Sequence, residues 1–153
     1  MTNDAAPARA AQLEILVVDD NEDDVLLLQE SLRDEPGVNL QHAVRDGEEA
    51  VAFLRREGRF AGVPRPGLVL LDINMPKMNG FEVLQVMKAD PVLRAIPVVM
   101  LTTSSREADI LSAYSGGACS FVTKPVSFDR LKLIAGHFVC YWTTVVRVPR
   151  LEQ

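Results

Sequence analysis

Five times along the chain a short apolar run, rich in β-branched residues, precedes a segment with apolar residues at helical spacing; this alternation constrains the fold more than any other feature. Residues 14–18 read as a strand, and 23–34 as a helix with Val25, Leu28 and Leu32 on one face. Pro36 and Gly37 stop that helix. Residues 39–44 then alternate Leu40, His42 and Val44 with Gln41 and Ala43, the pattern of a strand nearer a sheet edge. Asp46 with Glu49 makes a capping signal for a helix that carries Val51, Phe53 and Leu54 inward, before the chain loosens over 58–67. Three more pairs follow: strand 68–71 and helix 81–89, strand 97–101 and a helix from about 106, strand 120–123 and a helix from 128. Ser104 with Glu107 is a further capping signal, Gly116-Gly117 a helix stop, and Ser127 a cap. Each strand-to-strand connection must cross over right-handed, so the pattern predicts an α/β fold, a doubly wound parallel sheet with helices on both faces.

A chain of 153 residues has room for one such domain, and 48% hydrophobic residues suffice for its core without a disulfide. The expected organisation is a disordered tail over 1–12, a folded domain over 13–143 and a C-terminal extension over 144–153. With 21 acidic residues against 16 basic, a net charge of -5 and no long Lys/Arg cluster, direct binding to nucleic acid is not expected. The first twelve residues lack the apolar run of a signal peptide and no stretch is long enough for a membrane span, so a soluble, cytoplasmic protein is expected. Cys119 and Cys140 lack CxxC spacing and read as buried or interface thiols.

Ligands of open α/β sheets bind at the carboxyl ends of the strands. There the chain places Asp19 and Asp20, then Asp72, then Thr102 and Thr103, then Lys124 followed by Pro125. Taken singly each has a bland reading: a strand-terminal Asp is often a helix cap, and a Lys is usually solvated. Together they are three carboxylates, a hydroxyl and an ammonium in one cleft. Two like charges about 4 Å apart repel by about 4 kcal/mol at an effective dielectric near 20, so the carboxylates must take up protons or attract a cation. Oxygen-only donors favour Mg2+ or Mn2+ over zinc, and the hydroxyl and ammonium suit an anion beside the metal, most simply a phosphoryl group.

The stretches ILVVDDN at 15–21, LVLLDINMPKMNG at 68–80, PVVMLTTS at 97–104 and SFVTKPV at 120–126 resemble the receiver domain of two-component response regulators, over nearly the whole chain. The resemblance implies the flavodoxin-like (βα)5 fold with strand order 2-1-3-4-5, and a phosphoacceptor rather than an enzyme. It implies that Asp72 accepts a phosphoryl group from a sensor histidine kinase. Asp20 would bind the metal directly, Asp19 largely through water, and Asn74 through its backbone carbonyl. Thr102, with Thr103 beside it, and Lys124 would hold the phosphoryl oxygens, and Lys124-Pro125 would be a cis peptide. Asn74 and Ser104 would tune dephosphorylation. Phe121 matches the family's switch aromatic and equally reads as a simple core aromatic. The loop FLRREGRFAGVPRPGLVLLD, the segment DPVLRAIPVVMLTTS and the ending FVCYWTTVVRVP resemble the single-domain regulators paired with phytochromes, which implies a phytochrome-type kinase. Many of that subgroup carry Glu at Asp19, and either carboxylate serves a metal.

Two other classes compete. A haloacid dehalogenase-type phosphotransferase also sets a nucleophilic Asp after a strand, but here Asp72-Ile73-Asn74 lacks its second carboxylate. A flavodoxin-like cofactor binder needs a Ser/Thr/Gly-rich loop after the first strand, where this chain has DDNEDD.

From Leu133 to Val146, 14 consecutive residues carry no Asp, Glu, Lys or Arg. At 100° per residue Phe128, Leu131, Ile134, Phe138, Trp142 and Val145 form the stripe expected to cover the sheet; Val139, Tyr141 and Val146 widen it, and Leu133 and Cys140 lie opposite. So much apolar surface predicts a homodimer through the last helix, with Phe138, Tyr141, Trp142 and Val145 at the interface; the alternatives are an extension folded back over the domain or a heterologous partner.

Overall fold

The computed structural model describes residues 12–151. Five strands, β1 (Leu13–Val18), β2 (Val38–Val44), β3 (Leu68–Leu71), β4 (Val98–Thr102) and β5 (Ser120–Thr123), alternate with α1 (Glu22–Leu32), α2 (Gly47–Arg55), α3 (Gly80–Ala89), α4 (Glu107–Ser115) and α5 (Phe128–Cys140). All neighbouring strands are parallel, in the order β2-β1-β3-β4-β5. The doubly wound sheet and its expected strand order are thus observed. The tail expected over 1–12 lies almost wholly outside the described residues.

Period-two alternation divides the core between the two faces of the sheet. Leu16, Val18, Val69, Leu71, Val98 and Met100 face α2, α3 and α4, where they meet Phe53, Leu54, Val83, Leu84, Met87 and Ala113. Ile15, Val17, Leu68, Leu70 and Val99 face α1 and α5, against Leu28, Leu32, Ala135 and Val139. A one-residue slip of a strand would exchange these two sets, which pins the register.

The helix starts follow their caps. Asn21, Asp46 and Ser127 each accept the N3 amide, and Asn79 with Glu82 forms a complete capping box. The start of α4 differs from the expected Ser104–Glu107 signal: its N-cap is Arg106, without a side-chain cap. The Ser104 hydroxyl donates instead to Asp109 Oδ2 at 2.5 Å, and Arg106 forks onto the same carboxylate with both contacts at 3.2 Å. Ion pairing outcompetes the shorter capping geometry here.

At its far end α5 runs into a π-helical turn, Tyr141–Val145, closed by a Val146 amide bond to the Tyr141 carbonyl at 3.0 Å. Thr143 and Thr144 donate their hydroxyls to the carbonyls four residues back, both at 2.6 Å, which loosens the backbone ladder there. The wider turn breaks the 100° phase beyond Cys140, so the expected stripe is corrected at Val145, while Phe128 stands at the other end of α5, in its first turn. Ala135 and Val139 are buried and Leu131, Phe138 and Trp142 pack partly on the core, whereas Val145 is 64% and Phe128 37% exposed. Tyr141 stays 48% exposed. From this turn onward the chain folds back under the N-terminal edges of the strands: Thr143 lies against Gly37, Val148 against Gly67, and Leu151 reaches the core on the α2/α3 side.

Cys119 and Cys140 are both exposed, which corrects the buried reading; Cys119 sits just before β5, its thiol 3.2 Å from the Val98 carbonyl, and Cys140 ends α5 on its outer side. Among the described residues no helix is long and apolar enough to cross a membrane.

Candidate functional site

The sheet's hydrogen-bond ladder continues one step beyond its strands and fixes the backbone of the reactive residues. The Asp19 amide donates to the Val44 carbonyl (3.0 Å), Asp72 to Val18 (2.9 Å) and Lys124 to Thr102 (2.7 Å). Held as rungs of the sheet rather than as loop residues, these groups inherit its rigidity. At the opening of α3, Gly80 lies close over the Asp72 backbone, where a β-carbon would collide with the Asp72 carbonyl oxygen. Gly47 is likewise required by the close approach of Met78.

Asp19 and Asp72 are buried and Asp20 is exposed, and one carboxylate oxygen from each lies within 4.8 Å of the others. One oxygen of each buried carboxylate is occupied locally: Asp19 Oδ1 accepts from the Asn21 amide (3.0 Å), Asp72 Oδ1 from the Ile73 amide (2.8 Å). The other oxygens face Lys124, whose Nζ stands 2.6 Å from Asp19 Oδ2 and 3.5 Å from Asp72 Oδ2.

Burial pushes the Asp72 carboxyl above its ordinary value. The Lys124 ammonium opposes this, Asp19 reinforces it, and hydrogen bonds from Thr102 and the Ile73 amide oppose it again. Burial pulls Lys124 down, but hydrogen bonds to Asp19 and Asp24 and the charges of Asp72 and Asp19 outweigh it, so its ammonium is held above the usual lysine value. The site therefore keeps its cation firmly charged beside a carboxylate whose charge is costly, a poise suited to receiving further cationic charge. Three oxygen donors converging with no Cys or His fit a hard divalent metal ion.

The other expected residues fall as follows. Thr102 is fully buried, and its hydroxyl accepts the Ser104 amide at a long 3.4 Å. Thr103 and Asn74 are exposed beside the cleft. Phe121 is half-buried against the core on the α3/α4 side. Ser104 is committed to Asp109. No peptide bond among the described residues is cis, so Lys124-Pro125 is trans, contrary to expectation. Trans is the lower-energy isomer, and from it the Lys124 side chain already reaches the carboxylates. The residue missed in the sequence is Asp24, whose Oδ2 accepts from Lys124 Nζ at 2.9 Å. An acidic residue in the first turn of a helix is accounted for by the helix dipole alone, so nothing in its spacing marked it out.

The family model described as the response regulator receiver domain matches residues 15–135. The response regulator Rcp1 of Synechocystis is 39% identical over 136 residues, covering 88% of this chain and 92% of the relative. Among solved structures, the phosphorylated cyanobacterial phytochrome response regulator RcpA superposes with a TM-score of 0.86 at 40% identity, over 92% of this chain and 100% of that one. The Mn2+-bound form of Rcp1 gives 0.82 at 37% identity, over 90% and 99% of the two chains. Carboxylates at the strand ends, the buried threonine, the lysine and these matches agree: the chain belongs to the receiver-domain family of response regulators, the phosphoacceptors of two-component signalling.

Proposed function

We propose that Asp72 is the phosphorylated residue, that Mg2+ or Mn2+ is the metal, and that the donor is the phosphohistidine of a phytochrome-type sensor kinase in the cytoplasm. The observation that carries this reading is the convergence of Asp19, Asp20 and Asp72 on one point with the Lys124 ammonium 3.5 Å from Asp72. A free Asp72 oxygen attacks phosphorus, the P–N bond to the kinase imidazole breaks, and the imidazole takes up a proton as it leaves. Lys124 pairs with the phosphoryl oxygens and Thr102 donates its hydroxyl to them. Asp19, Asp20, Asp72 and the Asn74 carbonyl would hold the metal, which supplies charge neutralisation at the transferring group. Because the acyl phosphate is open to water, Asn74 and Ser104 influence its lifetime, and Phe121 moves with Thr102 to carry the change toward α4 and α5. The phytochrome donor is supported by the similarity to RcpA and Rcp1. Incubation with acetyl phosphate and Mg2+ tests the reading: one labile phosphate retained per chain is expected, whereas turnover with no retained phosphate, or no incorporation, would overturn it.

We further propose a homodimer on the outer side of α5, where Phe128, Leu133, Tyr141 and Val145 remain exposed. Phe138 and Trp142 support it from below, partly turned into the core.

A further inference from the structure

We propose that Asp24 is a positioning residue that competes with the acceptor site for Lys124, and so sets how readily the site takes a phosphoryl group. The inference rests on the receiver reading above. Lys124 Nζ has three protons to donate. Asp19 takes one at 2.6 Å and Asp24 another at 2.9 Å, while Asp72, at 3.5 Å, lies at the limit of hydrogen-bond reach. The ammonium is thus drawn toward α1 and away from the residue it must serve. Asp24 is well placed to do this. Its amide donates to the Asn21 cap at 3.1 Å, which fixes the first turn of α1, and its carboxylate bridges 100 positions along the chain to Lys124. Its side chain is 33% exposed and that of Lys124 12%, so the pair is only partly screened by solvent. Asp24 is not among the carboxylates that converge for a metal. Its bond to Lys124 must weaken when the ammonium turns to phosphoryl oxygens, whereas the metal set is left intact.

The test is a titration of the Mg2+-loaded protein with beryllium trifluoride, a phosphoryl mimic, together with Mg2+ affinity and chemical denaturation without either ligand. Asp24→Asn removes the charge at constant shape and should tighten the mimic by roughly three- to tenfold, the size of a partly exposed charge-assisted pair, with Mg2+ affinity changing less than about twofold. Asp23→Asn removes the same charge from the same turn at an exposed position and should have a clearly smaller effect. Asp24→Glu, which restores an acceptor, should move the affinity back toward wild type. In the ligand-free protein Asp24→Asn and Lys124→Ala should be non-additive in denaturation. Equal affinity in wild type and Asp24→Asn, weaker binding in the variant, or an equal gain from Asp23→Asn would each overturn the proposal while leaving the receiver reading standing. A wild-type protein that neither binds the mimic nor takes phosphate would overturn both.

Discussion

Gly80 and Asp72 touch through their backbones: the Gly80 Cα faces the Asp72 carbonyl so closely that no side chain fits between the start of α3 and the end of β3. The Gly80 amide also donates to the Ile73 carbonyl at 2.8 Å, closing the loop that carries the acceptor. Gly80→Ala should therefore push Asp72 out of line, at a cost of about 1 to 3 kcal/mol in stability. Urea denaturation and acetyl phosphate labelling should fall together; a variant with unchanged stability would mean that the loop yields freely.

Asp72→Asn should abolish phosphate incorporation. Burial makes the Asp72 charge unfavourable, and Lys124 keeps Asp19 and Asp24 as partners, so the variant should also melt at a higher temperature than wild type in the presence of a chelator. Labelling at full stoichiometry would refute the assignment of the acceptor.

Asp20→Asn removes an exposed carboxylate from the convergent set without touching Lys124. Mg2+ affinity by calorimetry should weaken roughly tenfold or more, and phosphorylation should slow in parallel. An unchanged titration would deny Asp20 a direct ligand role.

Asp109 ties the start of α4. The hydrogen bond from Arg106, then that from Ser104, hold its carboxyl below the ordinary value. A depressed acid contributes stability that is present above its unfolded value, about 3.9, and is lost as pH falls through the lower folded value. The stability difference between wild type and Asp109→Asn should be full at neutral pH and shrink below about pH 4. A difference that grows in acid would reverse the sign and sink the account.

Tyr141→Asp places a charge on the exposed side of the last turn. Sedimentation should show a wild-type dimer at roughly micromolar concentration, and a folded monomer for the variant. A wild-type monomer at far higher concentration would remove the dimer from consideration.

The sheet was legible because short apolar runs, helical stripes and the caps Asp46 and Ser127 all agreed locally with the observed fold. Asp19, Asp20, Asp72, Thr102 and Lys124 were legible for the same reason, since strand ends fix them. Asp24 was not, because its partner stands 100 residues away and its own position is explained by a helix start. The outer side of α5 was misjudged at Val145, since a uniform helical phase cannot anticipate a π turn opened by Thr143 and Thr144. The joint hold of Arg106 and Ser104 on Asp109 likewise depends on side-chain reach, which spacing alone does not encode.

The segment beyond α5 begins on one face of the sheet and finishes, at Leu151, on the other. A tether anchored on both sides closes a mechanical loop around the lower end of the strands. An outward swing of α5 would draw Val148 along Gly67 and pull on Leu151, so a displacement of the helix would be felt beneath α2 and α3 as tension. The grip of that half-buried leucine would then help to hold the two sides of the molecule together as a single body.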